Sequence, residues 1–263
     1  MIGKLLKHEF LNSWLEITII CGVSIVLSIF TGAAMALESS VLLGLLILAI
    51  AALYIVAGII LLINIIKSFN NKIFGDEGYL TLTLPTSIDS ILISKIIVNF
   101  IWMILVSASL IIGIILMVSI GSRSMLINEI SEISRFVFNN IGAFALLLLN
   151  ILIQGLFAIV LLIFVLSLLN IGKIKRAKFL IGIIIYYLIS TLMTWLGSLV
   201  LIVPFEITMG YEGKLVIEKI VFGEYGLFIG HILNFNIMFW LLVGIFGLYF
   251  LSRYLIKNKI ELE

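Results

Sequence analysis

IIVNFIWMILVSASLIIGIILMVSIGS, residues 96–122, runs for 27 residues without a formal charge. As a helix it rises about 40 Å, enough to cross the ~30 Å hydrocarbon layer of a bilayer. Five further uncharged intervals accompany it, at 17–37, 39–66, 136–172, 179–205 and 225–252. Composition agrees: 63% of the 263 residues are hydrophobic and 11% are charged, with a mean hydropathy of +1.34. A soluble core does not absorb so much apolar surface. Lipid admits only helices or closed barrels, and barrel strands alternate apolar with polar residues, whereas these runs are continuous. The reading is an all-α integral membrane protein of six transmembrane helices, at about 17–37, 41–66, 96–120, 141–169, 179–203 and 228–252. The interval 136–172 is too long for one span and too short for two with a turn, so it is read as one helix with apolar flanks. A single membrane domain, residues 1–263, accounts for the chain.

Orientation follows from the basic residues between spans. Lys4, Lys7, Lys67, Lys72, Lys95, Lys173, Lys175, Arg176, Lys178, Arg253, Lys257 and Lys259 fall on one side. Only Arg123, Arg135, Lys214 and Lys219 fall on the other. This bias places both termini in the cytoplasm. The basic groups are scattered around membrane boundaries, so the charge says little about nucleic acid, and no nucleic-acid partner is expected. NIGKIKRAK, residues 170–178, reads as a basic turn against anionic headgroups.

The first 16 residues, MIGKLLKHEFLNSWLE, are amphipathic, with Ile2, Leu5, Leu6, Phe10 and Trp14 on one face of a helical wheel. They predict a helix lying in the interface; the alternative is a cytoplasmic extension of the first span. The apolar run that follows is longer than the core of a cleaved leader, and Glu9, Trp14 and Glu16 precede it, so it is read as a retained span. Glu38, Ser39 and Ser40 then turn the chain tightly into span two. On the outer side, residues 122–135 are of mixed charge and suit a short surface helix. Residues 204–227, punctuated by Pro204, Gly210, Gly213, Gly223 and Gly226, suggest short or re-entrant helices.

Several chemistries are excluded. There is no G-x-x-x-x-G-K-[ST] phosphate loop and no G-x-S-x-G. His8-Glu9-Phe10-Leu11-Asn12 begins like a zincin helix but lacks the second histidine. Two histidines and the lone Cys21 provide no metal set and no intrachain disulfide. No acid lies deep within a span, so nothing intrinsic powers proton- or sodium-driven transport. The polar groups available to line a pathway are neutral: Asn99, Asn150, Gln154, Thr194 and Asn234. His231 falls near the outer end of span six. For the amides generally, hydrogen bonds between helices are the simpler role. No nucleophile–base pair assembles, so an enzyme is not expected and no cofactor is implied.

The longest cytoplasmic interval is 67–95. Between its two lysines it reads SFNNKIFGDEGYLTLTLPTSIDSILIS, with Gly75 as a helix stop and Thr86-Ser87-Ile88-Asp89 after Pro85 as a capped helix start. Two helices thus project into the cytoplasm and are joined there. The string KIFGDEGYLTLTLPTSIDSILISKII, residues 72–97, resembles the first cytoplasmic loop of ABC-2-type transporter permeases of Gram-positive bacteria. The plan of an amphipathic N-terminal helix, six spans and both ends inside is similar too.

That resemblance implies a membrane permease subunit of an ATP-driven exporter in the bacterial cytoplasmic membrane. It pairs with a second permease chain, as homo- or heterodimer, and with an ATP-binding-cassette ATPase subunit that holds the ATP and Mg. The cargo expected of so apolar a bundle is hydrophobic or amphipathic: a peptide, drug or lipid. By the same resemblance, Phe74, Gly75, Asp76, Glu77, Gly78, Tyr79, Leu80, Leu82 and Pro85 form the coupling element that docks on the ATPase. Asp76 and Glu77 meet basic residues there, and Tyr79, Leu80 and Leu82 pack in a cleft. A simple cap between two helices is the plainer reading of GDEGYLTLTLP. The alternative function is an ATP-independent channel or carrier.

Overall fold

The structure, a computed structural model, describes residues 2–37, 39–69, 87–121, 135–171, 178–209, 215–219 and 231–259. Among the described residues, six helices are long and apolar enough to cross a membrane, as the uncharged intervals require. They are α1 (Ile2–Ala36), α2 (Ser40–Phe69), α3 (Ile88–Gly121), α4 (Ile141–Ile171), α5 (Lys178–Leu199) and α6 (Phe235–Lys259). The chain is a multi-pass membrane protein. It divides into two compact units, residues 1–131 with α1–α3 and residues 132–261 with α4–α6.

In the first unit, α1 and α2 form the expected hairpin. Leu37 closes the end of α1 on Ala33 O at 3.1 Å, and Leu43 N reaches back to Ser39 O at 3.0 Å. The segment anticipated as an interfacial helix is the start of α1, which runs unbroken from Ile2 to Ala36. Its apolar face explains the continuity: Leu6 and Phe10 pack on a core of Ile17, Val98 and Trp102, and Phe10 stacks on Trp102 with centroids 4.3 Å apart. Protein covers part of that face, while Trp14 remains exposed. The start of α3 is capped as the sequence suggested: Ser87 Oγ accepts from Ser90 N at 3.2 Å, with Asp89 in the first turn.

In the second unit, α4 packs on α6 and α5, and its second half, Phe157–Leu169, is the most heavily buried stretch. The segment between α5 and α6 corrects the expectation of short or re-entrant helices. It contains a three-stranded antiparallel sheet in the order β2-β1-β3, with β1 Phe205–Met209, β2 Leu215–Lys219 and β3 His231–Asn234. FEITM and LVIEK are short, rich in β-branched side chains and separated by glycines, which suits a hairpin better than helix. Ile207 pairs with Ile217 on one side and Leu233 on the other, and both Ile207 and Leu233 are buried. The sixth helix therefore starts at Phe235, later than the anticipated 228, and His231 belongs to β3.

Asn140, just before α4, accepts from Leu215 N of β2 at 2.8 Å, and Asn236 ties the start of α6 to the end of α5. Asn236 is fully buried. Its Oδ1 accepts from Ile202 N at 2.9 Å and Val203 N at 3.1 Å, and its Nδ2 donates to Gly197 O at 2.6 Å and Val200 O at 2.8 Å. All four bonds of the amide are used to close the C-terminal end of α5, where carbonyls lack helical partners. Trp240 Nε1 adds a bond to Val200 O at 3.1 Å.

Candidate functional site

The site is built on the way α1 meets α3. Paired residues along the two helices keep a nearly constant offset. Cys21 Sγ approaches Leu105 O, Ser24 Oγ bonds Ser109 Oγ at 3.4 Å, and Glu9 meets Lys95. The glycines continue the register: Gly113 lies against Ser28, Gly32 against Met117 and Gly121 against Met35. A constant offset means the helices run parallel and in step, with α2 returning antiparallel beside them. Small side chains at Ser24, Ser28 and Gly32, four residues apart, let the backbones approach closely, as in membrane helix pairs generally. A Cβ on Gly32 would lie 2.8 Å from the backbone oxygen of Met117.

At the end of this seam where α1 begins, three helices converge on one ammonium group. Lys95 is 1% exposed. Its Nζ donates to Glu9 Oε1 at 3.0 Å, to Ser68 O at 2.8 Å and to Ser68 Oγ at 2.5 Å. Ser68 Oγ in turn donates to Glu9 Oε2 at 3.1 Å. The ring of Phe69, itself fully buried, lies 5.3 Å from the same nitrogen, so a cation–π contact supplements the hydrogen bonds. Three donors meet three acceptors, which is what a buried ammonium requires.

Each helix contributes something specific. α1 brings the carboxylate. α2 brings the backbone carbonyl and the hydroxyl of Ser68. α3 brings the cation. Asn99 follows Lys95 by one turn, and its Nδ2 bonds Lys95 O at 2.8 Å.

A polar cavity of about 230 Å³ opens beside this cluster. Its walls include Glu9 and Glu16 from α1, Asn64 and Lys67 from α2, and Asn99 from α3. The Nδ2 of Asn64 is buried there without a hydrogen-bond partner. Lys67 and Glu16 make no ion pair with each other or with any other described residue.

The anticipated coupling residues, Phe74, Gly75, Asp76, Glu77, Gly78, Tyr79, Leu80, Leu82 and Pro85, lie outside the described residues. Of the five anticipated pathway residues, Asn99 alone belongs to the cluster. Asn150 and Gln154 sit one turn apart on α4, the first half-buried and the second exposed. Thr194 is exposed on α5, its hydroxyl donating to Ser190 O at 3.1 Å. Asn234 caps α6, its Oδ1 accepting from Asn236 N at 2.9 Å and Ile237 N at 3.2 Å.

Among the described residues no three His, Cys, Asp or Glu side chains converge to hold a metal ion. Glu9, Ser68 and Lys95 were not anticipated as a unit, since each read as a boundary residue. The signal was there in part: Lys95 and Asn99 lie one turn apart in a stretch, 91–106, whose only other polar residue is Ser94. No family model, no characterised protein and no solved structure matches this chain.

Proposed function

We propose that this chain is the transmembrane permease subunit of an ATP-driven exporter in a bacterial cytoplasmic membrane. Both termini face the cytoplasm. It works with a separate ATP-binding-cassette ATPase and a second permease chain, and it moves a hydrophobic or amphipathic substrate outward. The Lys95–Ser68–Glu9 cluster carries the reading. Residues 70–86 connect the last turn of α2 to the start of α3, and the cluster fastens those two helix ends to each other and to α1. A push delivered by an ATPase to 70–86 is thereby shared by three membrane helices rather than absorbed by a loop, the kind of rigid linkage that converts a local movement into helix tilting. The GDEGYL and TLP strings within 70–86 add the resemblance to ABC-2-type permeases.

The experiment is purification of the tagged chain from its native host, with and without Asp76→Lys, Glu77→Lys and Tyr79→Ala combined. The native chain is expected to bring down a protein that hydrolyses ATP, and the triple variant to lose it while keeping its helical circular dichroism. Retained association and coupled hydrolysis in the variant would sink the proposal. So would nucleotide-independent flux through vesicles containing this chain alone, the behaviour of a channel or carrier.

A further inference from the structure

The cavity beside Lys95 has more polar capacity than the ion pair uses. Asn64 Nδ2 is a buried donor with no acceptor, an arrangement that carries a desolvation cost until an acceptor arrives. Lys67 and Glu16, of opposite sign, line the same cavity without pairing. A simple anion placed here faces Glu9 and Glu16; a simple cation faces Lys67 and Lys95. A molecule bearing both signs a few ångströms apart satisfies all of them. Its anionic oxygens take the Asn64 N–H and the Lys67 ammonium, and its cationic end takes Glu16.

Depth in the membrane narrows the source. The seam from Glu9–Lys95 to Met35–Gly121 is 26 residues long on either helix, or about 39 Å at 1.5 Å per residue. With its far end at one edge of the ~30 Å hydrocarbon layer, Glu9 lies about 9 Å beyond the other edge, among the headgroups. Glu16, two turns deeper, is then close to that edge. The cavity, about 230 Å³, has room for roughly seven waters and is smaller than the ~300 Å³ at which drug-sized sites begin. Toward the bilayer centre from Asn64, α2 presents Ile59, Leu62 and Ile63 as exposed apolar side chains, a surface for acyl chains.

We infer that this cavity binds the headgroup of a phospholipid carrying both a phosphate and a primary ammonium, with the phosphate on Asn64 and Lys67 and the ammonium on Glu16. The inference rests on the membrane assignment alone and is independent of any partner ATPase.

The test reconstitutes the full chain in nanodiscs of equal phosphatidylethanolamine and phosphatidylglycerol, then counts retained lipid by native mass spectrometry after stepwise delipidation. About one phosphatidylethanolamine per chain is expected, preferred about tenfold over phosphatidylglycerol, the factor for one charge-assisted hydrogen bond. Glu16→Gln, on an exposed side chain that leaves folding intact, abolishes the preference, whereas Lys67→Gln, equally exposed, lowers retention of both lipids and leaves the preference in place. Asn64→Leu lowers retention of the ethanolamine lipid. Equal retention of the two lipids, preference for the anionic one, or no retained lipid overturns the inference. Displacement of the lipid by equimolar soluble O-phosphoethanolamine also overturns it, because the site then recognises a free zwitterion.

Discussion

Consider Lys95→Met, a change that keeps chain length and apolar bulk while deleting the charge. It takes the cation from Glu9, which is 13% exposed at its side chain, and removes the donor from the Ser68 carbonyl. Breaking one side of a buried pair costs about 3–5 kcal/mol. Glu9→Leu makes the reverse error, leaving an ammonium 1% exposed with its counter-ion gone, at a similar cost. The double variant Glu9→Leu/Lys95→Met removes both charges, so the desolvation penalty vanishes with the attraction. What remains is the freed Ser68 carbonyl, worth about 1–3 kcal/mol.

The double variant is therefore expected to be more stable than either single one, with a coupling energy of at least about 3 kcal/mol. Ser68→Ala removes the hydroxyl but keeps the carbonyl bond to Lys95, and should cost about 1 kcal/mol. The assay is reversible unfolding by sodium dodecyl sulfate in mixed micelles, followed by tryptophan fluorescence; Trp102, stacked on Phe10, reports on this end of the unit. Single costs that add in the double variant to within about 0.5 kcal/mol would refute the reasoning, since independent sites behave in that way.

Glycine substitutions separate seam from surface. Gly32→Ala must push α1 and α3 apart at Met117 and should cost about 1–3 kcal/mol. Gly58→Ala meets nothing within 4 Å and should stabilise by about 0.5–1 kcal/mol, both read in the same unfolding assay. Asn236→Leu leaves two backbone N–H groups and two carbonyls at the end of α5 without their amide partner. It is expected to destabilise the second unit by about 3 kcal/mol or more, seen as faster proteolysis between α5 and α6 at an unchanged rate within residues 1–131.

The six spans were legible because each is a local property: an uncharged run long enough to cross hydrocarbon declares itself in a single window. The tight turn after α1 and the Ser87 cap were legible for the same reason. The sheet was not. FEITM and LVIEK are five residues each, too short for a period of two to stand out, and the glycines between them read as interruptions rather than as a turn joining two strands. The ion-pair cluster was least legible of all. Glu9 and Lys95 are 86 positions apart, and only the in-step packing of α1 on α3 brings them together. Counting Lys95 as a topological charge concealed that it is almost fully buried. Asn99 drew notice as an intramembrane amide, yet its visible partner is the backbone of Lys95.

The two fastenings also impose a schedule on synthesis. The last contributor to the Glu9–Ser68–Lys95 cluster is made when the chain has reached residue 95, so the first unit has every group it needs to close before the second has been translated. The second unit has no such head start. The carbonyls of Gly197, in α5, and of Val200, just after it, leave the ribosome unanswered, and the amide that answers them arrives with Asn236, after the sheet segment. A nascent chain halted between residues 121 and 236 would thus carry one finished half and one open one. The interval between α5 and α6 is where a chaperone or insertase has most to protect.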